Sequence, residues 1–132
     1  MARIMIIDDQ AFYRDYLAYE LRQEGHRICS GPGTDNILEA VDTLQPDIVL
    51  IDPFYRDLSG YRLVERLKEE YPHLPVILMS VYDSGRAESD KVTCDGYAMK
   101  SVDTTEIKST IHELLIAHLT KGMEGRCLEY SS

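Results

Sequence analysis

Three apolar runs of strand length dominate the sequence: RIMII at 3–7, DIVLI at 47–51 and PVILM at 75–79. Each is almost unbroken in Ile, Val, Leu and Met. A strand with one wet face alternates apolar and polar residues, whereas a strand covered on both faces does not. The runs therefore predict the central strands of a sheet held between two layers. Weaker runs at 27–29 and 96–99 complete five strands.

Between the runs, apolar residues return at helical spacing: Tyr13, Leu17 and Leu21; Ile37, Val41 and Leu44; Leu63, Leu67 and Tyr71. In DTTEIKSTIHELLIAHL, Ile107, Ile111, Leu114, Leu115 and His118 share a face, and Asp103 with Glu106 forms a capping pattern at its start. A further helix is expected near 84–92, although SGRAESDKVT has few apolar positions to dock it. Strand and helix thus alternate throughout, which predicts an α/β fold: a parallel sheet with right-handed crossovers and helices on both faces. The chain of 132 residues suits one domain, here 1–120, followed by a frayed tail at 121–132 where two glycines interrupt the pattern.

Acids outnumber Lys and Arg by 23 to 14, so phosphate backbones and anionic lipid are repelled and direct nucleic-acid or membrane binding is not expected. No run approaches transmembrane length and no secretory leader is visible, which together with the scattered Cys29, Cys94 and Cys127 predicts a cytoplasmic protein with reduced thiols.

In a sheet of this kind, polar groups just beyond the strands' carboxyl ends converge where strand order reverses. Asp8 and Asp9 follow the first run, Asp52 the third, Ser80 the fourth and Lys100 the fifth. Three carboxylates at one rim repel each other unless a cation intervenes, and oxygen donors of this kind suit Mg2+. A lysine there balances the acids and can hold a phosphoryl oxygen, with the Ser80 hydroxyl donating to another. The plain alternative is that Asp8 and Asp9 only begin a loop or cap a helix. His26, His73, His112 and His118 lie away from the strand ends and are expected at the surface or partly packed, leaving no Ser-His-acid arrangement. GPG at 31–33 is too short for a dinucleotide or nucleoside-triphosphate cradle.

The ordered set of DD at 8 and 9, Asp52, Gly60, Ser80 and Lys100 resembles the receiver domain of two-component response regulators over residues 2 to about 120. That resemblance implies a flavodoxin-like, doubly wound sheet of order 2-1-3-4-5 with five helices. It implies Asp52 as phosphoacceptor, and Asp8, Asp9, Asp52 and the carbonyl of Phe54 as the Mg2+ site. Ser80 becomes the switch hydroxyl, Lys100 the phosphoryl contact and Tyr97 the aromatic that follows the switch. The implied reaction takes a phosphoryl group from a histidine kinase or phosphotransfer protein, hydrolyses it slowly, and alters a face built from the fourth helix, fifth strand and fifth helix. Tyr82 and Tyr97 are candidates on that face.

Three departures from the family pattern stand near the acceptor. Arg56 occupies a common proline position while Pro53 supplies a proline elsewhere; Val81 replaces a small residue; and Ser101 replaces a proline that commonly brings a cis peptide. These residues carry no sign of a DNA-binding domain, so the expected output is protein–protein recognition of a downstream target, phosphorelay or phosphate exchange, with a monomer or a weak phosphorylation-dependent dimer. A receiver excised from a longer protein would look the same. Two alternatives stay open: a binding module of this fold that works without phosphorylation, and a small flavodoxin-like or phosphohydrolase enzyme.

Overall fold

The computed structural model describes residues 2–29, 36–56, 59–81 and 94–131, with side chains left undescribed at 59 and 121–131. The strands are β1 (Arg3–Ile7), β2 (Arg27–Cys29), β3 (Ile48–Ile51), β4 (Val76–Ser80) and β5 (Gly96–Met99). They form one parallel sheet of order β2-β1-β3-β4-β5. The helices are α1 (Ala11–Gln23), α2 (Ile37–Leu44), α3 (Ser59–Glu70) and α4 (Thr105–Ser131).

The apolar runs fold as strands because both their faces are used. Ile4, Ile6, Ile48, Leu50, Ile77 and Met79 join Leu17 and Leu21 of α1 and Ile107 and Ile111 of α4 in one core. Met5, Ile7, Val49, Ile51, Val76 and Leu78 point the other way, onto Ile37 and Val41 of α2 and Val64 and Leu67 of α3. The alternation of period two is present in the side-chain directions, yet both classes are apolar because helices cover each side.

The expectation of five helices is corrected: four occur among the described residues. The fifth is expected near 84–92, a stretch poor in apolar positions that lies outside the described residues, as do Tyr82 and the GPG turn. At the other end, α4 runs on to Ser131 where a frayed tail was expected. Glycine in a helix costs about 1 kcal/mol relative to alanine, which weakens a helix without ending it as proline does. The expected cap is divided between two tasks. Asp103 Oδ1 accepts from Thr105 N at 3.0 Å, whereas Glu106 Oε1 accepts from Met99 N at 3.1 Å and ties the helix start to β5.

Parallel pairing brings the carboxyl ends of β1, β3, β4 and β5 to one rim. Ile7 stands beside Ile51, Ile51 beside Leu78, and Ser80 beside Met99. Asp8, Asp52 and Lys100 are therefore the residues just beyond β1, β3 and β5, and Ser80 ends β4, which lies between β3 and β5.

Candidate functional site

Asp8 leaves β1 as the chain turns toward α1. Its Oδ1 accepts from Gln10 N at 2.8 Å, so it does shape the loop, as the plain reading of this acid expected. Its Oδ2 is buried and lies 2.7 Å from Lys100 Nζ. That contact lacks hydrogen-bond alignment, which leaves Oδ2 a buried oxygen with no hydrogen-bond donor among the described residues. Asp52 begins the turn after β3. Its amide donates to Ile7 O at 2.9 Å, extending the β1–β3 pairing by one residue. Asp52 Oδ1 accepts from Phe54 N at 2.7 Å and Oδ2 from Lys100 Nζ at 2.7 Å.

Lys100 follows β5, and its amide donates to Ser80 O at 2.7 Å. From there the side chain reaches across the end of β4 to both carboxylates, with Gln10 Oε1 2.6 Å from the ammonium and the Tyr13 ring centroid 5.0 Å away. The residue is 7% exposed, Asp8 2% and Asp52 7%, so the charges meet almost out of water. Burial opposes the ammonium, but the hydrogen bond to Asp52 and the contact with Asp8 outweigh it and raise the Lys100 pKa.

Asp9 is exposed and fixed from a different side, its Oδ2 accepting from Arg56 N at 2.7 Å. Arg56 holds a left-handed backbone with φ of 48°, a conformation closed to proline. Its guanidinium lies 5.4 Å from the ring centroid of the buried Tyr55. The departure at this position thus provides an N–H that the site uses. Ser101 provides another: its N–H donates to Tyr13 Oη at 3.1 Å, and no cis peptide occurs among the described residues.

The structure unites Asp8, Asp52 and Lys100, and places Asp9 next to them through Arg56. Ser80 meets Lys100 through its main chain and ends β4 itself, one residue further along than the 75–79 reading placed the strand. Phe54 and Tyr97 are exposed, at 48% and 41%. Gln10, Tyr13 and Arg14 also belong to the site, beyond the residues that the sequence pattern points to. The Arg14 guanidinium donates to Asp8 O at 3.0 Å. Gln10 had a usable signal, its place directly behind the paired acids, whereas Tyr13 was counted only among the helix's apolar positions.

No three acidic, histidine or cysteine side chains already converge as a ligand set among the described residues. The donor chemistry still fits a hard cation: among the described residues the Asp8 Oδ2 oxygen accepts no hydrogen bond, and Asp52 shares the Lys100 ammonium with it. A groove of about 670 Å³ bounded by Val41, Tyr71, Leu74, Leu115 and Leu119 opens elsewhere and includes none of the acid cluster.

Residues 4–112 match the family described as the response regulator receiver domain. The chain belongs to that family. Receiver domains are the phosphoacceptor signalling units of two-component systems. Their chemistry is phosphorylation and dephosphorylation of an aspartate; magnesium binding is typical of them, and histidine kinases or phosphotransfer proteins are their general partners. This receiver domain is 30% identical over 121 residues to an uncharacterized response regulatory protein of Vibrio cholerae, covering 89% of this chain and 50% of that protein. It is 26% identical over 114 residues to the probable transcriptional regulatory protein TcrX of Mycobacterium tuberculosis, covering 85% and 49%. The chain spans about half the length of these curated relatives. Among solved structures, the response regulator TrrA of Thermotoga maritima, in complex with Mg(2+)-BeF, is similar with a TM-score of 0.72 and 26% identity. The match covers 86% of this chain and 99% of TrrA. No helix among the described residues is long and apolar enough to cross a membrane.

Proposed function

We propose that Asp52 is the phosphoacceptor, receiving a phosphoryl group from a phosphohistidine of a histidine kinase or phosphotransfer protein. The observation that carries this reading is the placement of Lys100 Nζ 2.7 Å from both Asp8 and Asp52, a buried cation poised between the acceptor and a second acid. In the transfer, an Asp52 carboxylate oxygen attacks phosphorus, the P–N bond breaks, and the imidazole departs with its electron pair. Hydrolysis reverses the anhydride: water attacks phosphorus, the P–O bond to Asp52 breaks, and inorganic phosphate leaves.

Each neighbour has a separate task. The Phe54 N–H orients the acceptor through Oδ1, and Lys100 holds Oδ2 before transfer and a phosphoryl oxygen after it. The Ser80 hydroxyl donates to another phosphoryl oxygen. Asp8, Asp9, Asp52 and the Phe54 carbonyl would hold Mg2+, which when bound supplies positive charge to the phosphoryl oxygens. The likeness to TrrA, solved with Mg(2+)-BeF, supports that assignment.

The new charge on Asp52 draws Ser80 toward it, and Tyr97 on the neighbouring strand changes place with it. The altered face is read by a downstream protein, with this domain monomeric or weakly dimeric. Phe12, Phe54 and Val102, each a few residues beyond a member of the cluster, are 92%, 48% and 81% exposed and offer an apolar contact for the phosphoryl donor. The net charge of -9 argues against a nucleic-acid partner for this domain.

Intact mass before and after incubation with Mg2+ and a small phosphodonor tests the reading. One phosphoryl adduct is expected on the parent and none on Asp52→Ala. An unchanged parent mass, under conditions that label another receiver domain, refutes it.

A further inference from the structure

We infer that Tyr13 is a positioning residue that sets where the Lys100 ammonium stands. The inference rests on the phosphoacceptor reading of Asp52 and adds to it a residue on a different element, the first turn of α1.

Lysine places a point charge at the end of a flexible four-carbon stem, so a lysine that must meet two carboxylates needs restraint beyond its own length. The sheet provides one restraint, the Lys100 N–H donating to Ser80 O at 2.7 Å, and β5 ends at Met99. The following amide, Ser101 N–H, donates to Tyr13 Oη at 3.1 Å, and the same hydroxyl donates to Ser101 O at 3.0 Å. One hydroxyl thus serves both main-chain polar groups of Ser101, the residue that follows the lysine. Burial, above all, raises the Tyr13 pKa, which keeps the donated proton in place. The ring of the same residue stands 5.0 Å from Lys100 Nζ, within the range of a cation–π contact.

Tyr13 therefore fixes Lys100 at both ends, the main chain through the hydroxyl and the ammonium through the ring. Tyr16, one turn on, makes a simpler bond, its hydroxyl donating to Val102 O at 2.6 Å. This neighbour separates the two explanations. If α1 only steadies the loop after β5, the hydroxyls are equivalent; if Tyr13 places the ammonium, only its loss alters phosphoryl chemistry.

The experiment compares the parent with Tyr13→Phe, Tyr13→Leu and Tyr16→Phe, following Asp52 labelling by acetyl phosphate at saturating Mg2+ and well below every melting temperature. Maximal rates should fall in the order parent, Tyr13→Phe, Tyr13→Leu. The first step is about tenfold, within the hundredfold that misplacement by about 1 Å costs. Tyr16→Phe should label at the parent rate, and Mg2+ affinity should be the same in all four. NMR gives an independent readout: the Lys100 side-chain protons should carry a ring-current shift that persists in Tyr13→Phe and vanishes in Tyr13→Leu. Equal maximal rates for the parent and Tyr13→Phe overturn the inference, as does an equal loss in Tyr16→Phe. An unlabelled parent instead refutes the phosphoacceptor reading, and the NMR shift then still decides whether Tyr13 sets the position of Lys100.

Discussion

A methyl group on Gly60 would overlap the main-chain carbonyl oxygen of Asp52 and lie 2.8 Å from that of Pro53. The first turn of α3 thus rests directly on the backbone of Asp52, and only hydrogen fits between them. Gly60→Ala is expected to destabilise the fold by about 1–3 kcal/mol, the usual cost of overpacking. On the phosphoacceptor role proposed for Asp52, it should also slow Asp52 labelling, because the displaced backbone is that of Asp52 itself. Urea unfolding and the labelling rate check the two effects separately; a variant as stable and as quickly labelled as the parent contradicts the contact.

Removing Lys100 leaves Asp8 and Asp52 buried together without their shared counter-charge. Lys100→Met is expected to cost about 3–5 kcal/mol at neutral pH without divalent cations, the range for breaking a buried ion pair from one side. Added Mg2+ should recover part of that loss by taking over the neutralising role. The measurement is the unfolding free energy of parent and variant, each with and without Mg2+. A deficit that Mg2+ leaves unchanged would count against these carboxylates as the cation site.

At Arg56, a left-handed φ of 48° and the N–H bonded to Asp9 Oδ2 are both incompatible with proline. Arg56→Pro should destabilise the fold by more than about 1 kcal/mol, as expected where the native backbone cannot accept the ring. It should also weaken Mg2+ binding, because Asp9 loses the donor that orients it. Isothermal titration with Mg2+ tests the second effect, and Arg56→Ala, which keeps the N–H, should bind Mg2+ as the parent does.

His26 gives the fold an acid-side weakness. Its Nδ1 accepts from Ala2 N at 3.2 Å, and burial lowers its pKa. The unfolded chain takes up its proton near pH 6.5, about the ordinary value, while the folded chain resists doing so until lower pH. The stability contributed by neutral His26 is therefore complete above that ordinary value and is lost as pH falls through the lowered folded value. Urea midpoints measured downward from about pH 8 to about pH 5 should drop more steeply for the parent than for His26→Gln. Parallel curves would show that this imidazole does not couple to folding.

The strands were legible because burial on both faces leaves a plain mark, an unbroken apolar run, and Asp8, Asp52 and Lys100 were legible because each stands where such a run stops. Val64 shows the opposite case. It is fully buried in α3, yet the spacing of Leu63, Leu67 and Tyr71, which all pack on the same core, does not include it, so the apolar face is wider than those three residues indicate. The uses of Arg56 and Ser101 were illegible for a different reason. Both contribute a main-chain N–H, and a sequence names side chains without showing which amides a fold leaves over. Gly60 was legible as a motif, but its reason, the overlap with the Asp52 carbonyl, needed the packing of α3 on the acceptor loop.

Lys100 meets Asp52 across 48 residues of chain and Gln10 across 90. It is also delivered by β5, which among the described residues is an outermost strand paired with β4. If that strand peels away, the acids at the ends of β1 and β3 remain but their cation is gone. On the role proposed for Asp52, its labelling thus doubles as a gauge of edge-strand docking: a partly unfolded molecule that keeps its central strands would fall silent before it lost its core.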